Sequence, residues 1–363
     1  MKKARLILEN GMVFEGEHFG FDGDCLGEVV FTTGMTGYQE SITDPSFNQQ
    51  ILVFSYPMIG NYGINTEDFE SLTAGVSGIV VGEYCKKPSH WQKNMSLDAF
   101  LKLQKVPGIA GIDTRKLVKI IRKAGTIKGM ITTDMATDAI CLEQVTKFDP
   151  KNHVSNVSTK NTYHLPGSGN RVVIIDFGMK KSILAELTKK ACDIIVVPYN
   201  TPAHIILSYN PKGVVLSNGP GDPAHMPEEV FQTIRTLDGN LPLLGICLGH
   251  QLYALANGAK TYKLLFGHRG ANHAVVDIAK NQVVMTSQNH SYAVDEKSLK
   301  HTNIVMTQYA LNDKTVEGLA HEKFPSLTVQ YHPESAPGPL DTNAIFTEFV
   351  ECMTNQKIIE GVK

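Results

Sequence analysis

The sequence has 363 residues, 42% hydrophobic and 19% charged, with a formal net charge of −2 at pH 7. That length favours two domains over one, and so balanced a charge offers no basic surface for nucleic acid. Six cysteines, at positions 25, 85, 141, 192, 247 and 352, form no C-x-x-C pair and no cluster, so neither a zinc site nor a disulfide framework is indicated.

The apolar stretch near the start, Leu6-Ile7-Leu8, is too short for a signal-peptide core, and no later run approaches membrane-spanning length. The expectation is a soluble cytoplasmic protein in a reducing compartment. Residues 1–150 are rich in glycine and in short strand-like runs: Arg5–Leu8, Val13-Phe14, Gly27–Phe31 and Gln50–Phe54, separated by turn signals at Asn10-Gly11, Asp22-Gly23 and Gly34. Asp113 to Gly125 reads as a capped helix ending at glycine. Nothing here resembles a βαβ repeat, so this half is expected to be a mixed α+β domain. Residues 151–170 are polar, lack a sustained period and end in Pro166-Gly-Ser-Gly-Asn170, which reads as a linker.

From residue 171 to 363 the texture changes. Strand runs at 171–177, 194–198 and 213–216 alternate with helical stretches at 179–190, 202–209 and 227–237. That alternation predicts an α/β domain with a doubly wound, mainly parallel sheet, whose ligands bind beyond the carboxyl ends of the strands. A fourth strand leads into Gly245-Ile-Cys247-Leu-Gly249. Leu248, Leu252, Leu255, Ala256 and Ala259 then recur at steps of three and four, one face of a helix that stops at Asn257-Gly258. Short strands are expected at 274–278, 283–286, 305–309, 316–321 and 327–331, and a closing helix at 341–353.

Strand, sharp glycine turn and helix, with Cys247 at the turn, form a nucleophile elbow with cysteine in place of serine. The turn would lift the thiol above the sheet edge, and the helix N-terminus would stabilise negative charge there. The N–H of Leu248 would point to where an oxyanion forms. A buried cysteine after a core strand is the plain alternative, and three stretches elsewhere weigh against it. Ser217-Asn-Gly-Pro-Gly-Asp-Pro223 follows a strand and lets the backbone approach a ligand; the chain has no G-x-x-x-x-G-K-[ST] phosphate loop. Tyr331-His-Pro-Glu334 supplies a base, His332, and a carboxylate to orient it, Glu334. Ser287-Gln-Asn-His-Ser-Tyr-Ala293 reads as a polar loop with amides suited to an amino-acid ligand.

Gly245-Ile-Cys-Leu-Gly-His-Gln251 with His332-x-Glu334 resembles the class I glutamine amidotransferases, whose triad runs Cys-His-Glu in that order. Further motifs run the length of the chain: Gly34-Met-Thr-Gly-Tyr-Gln-Glu40, Thr43-Asp-Pro-Ser46, Gly60-Asn-Tyr-Gly63, Gly111-Ile-Asp-Thr-Arg115, Asp176-Phe-Gly-Met-Lys180, Gly267-His-Arg-Gly270 and Ser287-Gln-Asn-His290. With these the chain looks like the small subunits of carbamoyl-phosphate synthase.

The resemblance implies a glutaminase that releases ammonia to a large synthase subunit. That subunit would use ATP, Mg and bicarbonate to make carbamoyl phosphate for arginine and pyrimidine synthesis, leaving this chain without a cofactor or metal. The first domain would dock the partner. The resemblance makes Cys247 the nucleophile, His332 the general acid and base, and Glu334 its orienter. Glutamine contacts would fall on Ser46, Gly219, Gly221, Leu248, Gln251, Asn289, Ser291 and Tyr292. One departure stands out: the family's Asn-His-Gly-Phe is here Asn289-His-Ser-Tyr292, and serine is strained if position 291 has positive φ. Two other readings are the glutaminase part of a different synthase, which the N-terminal half disfavours, and a catalytically silent docking or regulatory scaffold.

Overall fold

Short strands broken by glycine turns can avoid exposed edges by closing on themselves, and in the first half of the chain they do. The computed structural model describes residues 2–134 and 137–355 and divides into two compact units, residues 1–153 and 154–363. The first contains β1 (Lys3–Leu8), β2 (Val13–Gly20), β3 (Cys25–Thr32), β4 (Gln50–Phe54), β5 (Met58–Ile59), β6 (Gly78–Val80), β7 (Glu83–Tyr84), β8 (Pro107–Ala110) and β9 (Ile127–Thr132). Seven of these close a barrel in the order β1-β2-β8-β6-β4-β3-β9, and β5 pairs with β7 separately. The run β3-β4-β6-β8 is parallel and the remaining barrel pairs are antiparallel.

Against the expectation that this half holds no βαβ unit, helices α1 (Tyr38–Thr43) and α2 (Leu97–Leu103) lie on its parallel crossovers, followed by α3 (Thr114–Ala124) and α4 (Asp138–Lys147). The expected caps of α3 are present. Asp113 Oδ1 accepts from the Lys116 N–H at 2.8 Å, and Gly125, at φ 94°, ends the helix. Val30, Leu52 and Ile79, from three neighbouring barrel strands, are fully buried.

The second unit follows α5 (His153–Val157), a helix that spans the division between the units. Its strands are β10 (Tyr163–Leu165), β11 (Arg171–Asp176), β12 (Asp193–Pro198), β13 (Gly213–Leu216), β14 (Leu243–Ile246), β15 (Thr261–Asp277), β16 (Gln282–Val294), β17 (Ile304–Ala310), β18 (Val316–His321) and β19 (Ser326–Val329). Its helices are α6 (Lys181–Lys189), α7 (Ala203–Ser208), α8 (Glu228–Leu237), α9 (Leu248–Ala256) and α10 (Ile345–Asn355). One ten-stranded sheet runs β10-β12-β11-β13-β14-β19-β18-β17-β15-β16. The five strands from β12 to β19 are parallel and buried on both faces, which explains their unbroken apolar runs.

Two local expectations change. The segment read as a linker carries α5 and β10, and β10 pairs antiparallel with β12 from Tyr163↔Val196 to Leu165↔Ile194. Backbone pairing anchors it, and polar composition does not report backbone pairing. The stretch Ser287–Ala293, read as a loop, lies inside the 13-residue strand β16, whose partner β15 is 17 residues long. Register shifts between Lys263 and His268 and between Gly270 and His273 bulge β15. Bulges twist and re-aim a strand without ending it, so polar residues can continue it where alternation fails.

Candidate active site

Parallel strands β11, β13, β14 and β19 end at the same edge of the sheet, and the site collects there. The Cys247 N–H donates to the Val329 carbonyl at 2.8 Å, tying the turn after β14 to β19. The residue adopts φ 52°, ψ −102°, a conformation that costs a non-glycine residue on the order of 1–3 kcal/mol. Close packing of α9 on β13 holds it. The Gly249 N–H donates to Ser217 O at 3.0 Å, and a Cβ on Gly249 would lie 2.2 Å from the Leu216 carbonyl oxygen, so any larger residue would push the helix away. Cys247 is buried, with Sγ 3.5 Å from the Asn289 carbonyl oxygen and 3.7 Å from Gln330 Nε2.

His332 follows β19, and its N–H donates to Ser287 O at 2.8 Å. Its Nδ1 lies 2.6 Å from Glu334 Oε1; a carboxylate there only accepts, so Nδ1 carries the proton. Nε2 is buried with no hydrogen-bond partner, and the ring interacts with Cys247. Burial pulls the His332 pKa down, but Glu334 and the Cys247 sulfur outweigh it and, against opposition from Lys180, raise it to about 10. Glu334 moves the other way. Burial would raise it, yet Lys180 and His332 bring it to about 2. Lys180 Nζ donates to Glu334 Oε1 at 2.8 Å, with both side chains almost fully buried.

Of the glutamine-contact candidates in this unit, Leu248 adjoins Cys247 in the chain and Asn289 meets its thiol. The Gly219 backbone passes so close to its neighbours that a Cβ would lie 2.2 Å from Phe177 O and 2.9 Å from Leu248 Cδ2. Gly221 has φ 94°. Leu248 opens α9, where helix geometry leaves its N–H without an intrahelical acceptor. Gln251 Nε2 donates to Tyr292 O at 2.7 Å and to Gln330 Oε1 at 2.9 Å. Asn289 meets Cys247 through its carbonyl, and Ser291 Oγ accepts from the Arg269 guanidinium. Ser291 lies in the extended strand β16 and is not among the residues of positive φ, so it carries no left-handed strain. Ser46 belongs to the first unit, buried in a 3₁₀ turn where its N–H donates to Asp44 Oδ1 at 2.8 Å.

Lys180 and Gln330 were not singled out as site residues from sequence. A lysine before a helix ordinarily reads as a solvated side chain. The one available signal was its place in Asp176-Phe-Gly-Met-Lys180, directly after a buried strand.

Comparison with known proteins identifies the family. Residues 6–131 match the family model described as carbamoyl-phosphate synthase small chain, CPSase domain, and residues 173–352 match glutamine amidotransferase class-I. The carbamoyl phosphate synthase small chain of a Listeria monocytogenes serotype 4b strain is 53% identical over 358 residues, 98% of each chain. That of a Bacillus cereus strain is 53% identical over 355 residues, 98% of this chain and 97% of the relative. Among the described residues no helix is long and apolar enough to cross a membrane. At this identity over almost its whole length, the chain belongs to the carbamoyl-phosphate synthase small chain family, with a class I glutamine amidotransferase domain as its C-terminal part.

Proposed function

We propose that the chain hydrolyses L-glutamine to glutamate and ammonia and passes the ammonia to a large carbamoyl-phosphate synthase subunit. That partner consumes ATP with Mg and bicarbonate to form carbamoyl phosphate for arginine or pyrimidine synthesis. This chain itself supplies no nucleotide site, and the first unit docks the partner. The setting is the cytoplasm, which suits six cysteines that are all free.

The observation that carries this reading is the buried array in which Glu334 holds Nδ1 of His332 and leaves Nε2 for Cys247. Cys247 Sγ attacks the side-chain carboxamide carbon of glutamine, and His332 takes the thiol proton. The N–H groups of Leu248 and Gly219 receive the developing oxyanion. The C–N bond breaks as His332 returns the proton to the departing ammonia, leaving a γ-glutamyl thioester. His332 then draws a proton from water, the hydroxide attacks the thioester carbonyl, and glutamate leaves as the thiol is restored. Gly221, Gln251, Asn289, Ser291 and Tyr292 hold the amino-acid part of the substrate.

The test uses the complete synthase. Cys247→Ser should abolish carbamoyl phosphate formation from glutamine and leave formation from free ammonia intact. Comparable loss of both would make Cys247 a structural residue. Absence of glutamate release by the wild-type complex would favour a silent scaffold.

A further inference from the structure

The motif Gly111-Ile-Asp-Thr-Arg115 leads into α3, a helix that the glutamine chemistry does not use. From Thr114 to Ala124 it carries five cations and no acid. At about 100° per residue, Arg115, Lys116, Lys119, Arg122 and Lys123 fall within an arc of about 120°. All five are exposed, while Thr114, Leu117 and Ile121 on the other side are buried. The formal net charge of −2 therefore hides one strongly basic face.

Folding of the first unit does not account for that face. Among the described residues no ion pair joins Arg115, Lys116, Lys119 or Lys123 to an acid. Lys116 Nζ stands 5.7 Å over the Phe14 ring, a contact that holds its stem and supplies no counter-charge. Lys119 is four residues from both Arg115 and Lys123 and three from both Lys116 and Arg122, spacings at which like charges weaken a helix. The dipole favours Arg122 and Lys123 in the last turn, but it disfavours Arg115 and Lys116 in the first, where acids belong.

We infer that this face of α3 is the surface on which the chain meets an acidic patch of the large synthase subunit, an inference that rests on the docking role proposed above for the first unit. An acidic counter-surface relieves the repulsion that the helix bears alone. Asp113, Arg115, Lys116, Lys119, Ile120 and Lys123 line an open cleft there. The half-buried Ile120 gives the cleft an apolar patch edged by charge, the anatomy of a protein interface. Nucleic acid fits less well: its phosphates are met by domains of high net positive charge, and the chain carries −2. Exposed cations at an interface act mainly on encounter. They steer an oppositely charged partner and raise the association rate, and salt screens them.

The experiment follows association of the full-length chain with the purified large subunit by stopped-flow fluorescence. It compares about 0.1 M salt, where charges act over about 10 Å, with about 1 M, where they act over about 3 Å. Arg115→Glu/Lys119→Glu should slow association roughly tenfold or more at the lower salt, and the difference should close at the higher. Arg115→Gln/Lys119→Gln should fall between. The melting temperature of the charge-reversed chain should hold or rise, since a first-turn glutamate suits the dipole, and its glutamate release without the partner should match the wild type. Association of the charge-reversed chain at the wild-type rate overturns the inference and leaves the docking role intact. A loss that salt does not diminish also overturns it. So does salt-sensitive binding of a DNA duplex by the wild type that the reversal abolishes, which would assign the face to nucleic acid. A wild type that never associates with the large subunit removes the docking role itself, and this surface with it.

Discussion

Replacing Lys180 with methionine removes the cation from a buried pair while keeping most of its volume. Glu334 Oε1 then retains the His332 N–H, and Oε2 is already buried without a hydrogen-bond partner. Removing one partner of a buried pair costs about 3–5 kcal/mol, because the remaining charge stays desolvated. At about 2–4 °C per kcal/mol for a domain of this size, the unfolding transition of the C-terminal unit should fall by roughly 6–20 °C in differential scanning calorimetry. Lys180 lowers the pKa of both Glu334 and His332, so its loss should raise both.

The linkage sign follows. Glu334 falls from an ordinary 4.5 to about 2 on folding. Its contribution is therefore complete above 4.5 and is lost as pH falls toward about 2. The wild type should lose stability across that window and Lys180→Met should lose less. The double variant Lys180→Met/Glu334→Gln should recover much of the stability by removing the stranded charge. A shift under about 2 °C in the single variant, or strictly additive losses in the double, would refute the reasoning.

The other predictions concern the thiol and its surroundings. His332→Asn should lower glutamine turnover by about 10² or more, well beyond the loss in Glu334→Gln, since in the proposed mechanism the histidine moves the proton and the glutamate orients it; equal small losses in steady-state kinetics would remove both from the chemistry. Ser291→Gly should change the Michaelis constant and turnover for glutamine by less than about tenfold, or about 1.4 kcal/mol, because position 291 is ordinary extended strand; a gain of several hundredfold would mean that the native strand is impaired. Gln330→Met removes the donor 3.7 Å from Sγ and should lower turnover about tenfold, for a hydrogen bond of about 1–1.5 kcal/mol. Its thiol should also alkylate more slowly with iodoacetamide at neutral pH, and an unchanged alkylation profile would show that Gln330 only packs.

The sequence by itself carried the parallel sheet, the elbow and the triad, because each is written in short-range pattern. Buried parallel strands read as continuous apolar runs. The elbow needs Gly245 and Gly249 beside Cys247, and His332 and Glu334 stand two residues apart in one turn. Tertiary structure alone decided whatever depends on which strands become neighbours. Lys180 and Glu334 are 154 positions apart and meet because the order β11-β13-β14-β19 brings four strand ends to one edge. The polar stretch 287–293 is strand because bulges in β15 let it pair, and that pairing also settles the backbone at Ser291. Local periodicity records which face of an element is buried, whereas long-range partnership is set by the free energy of the whole packed sheet, and no single segment encodes it.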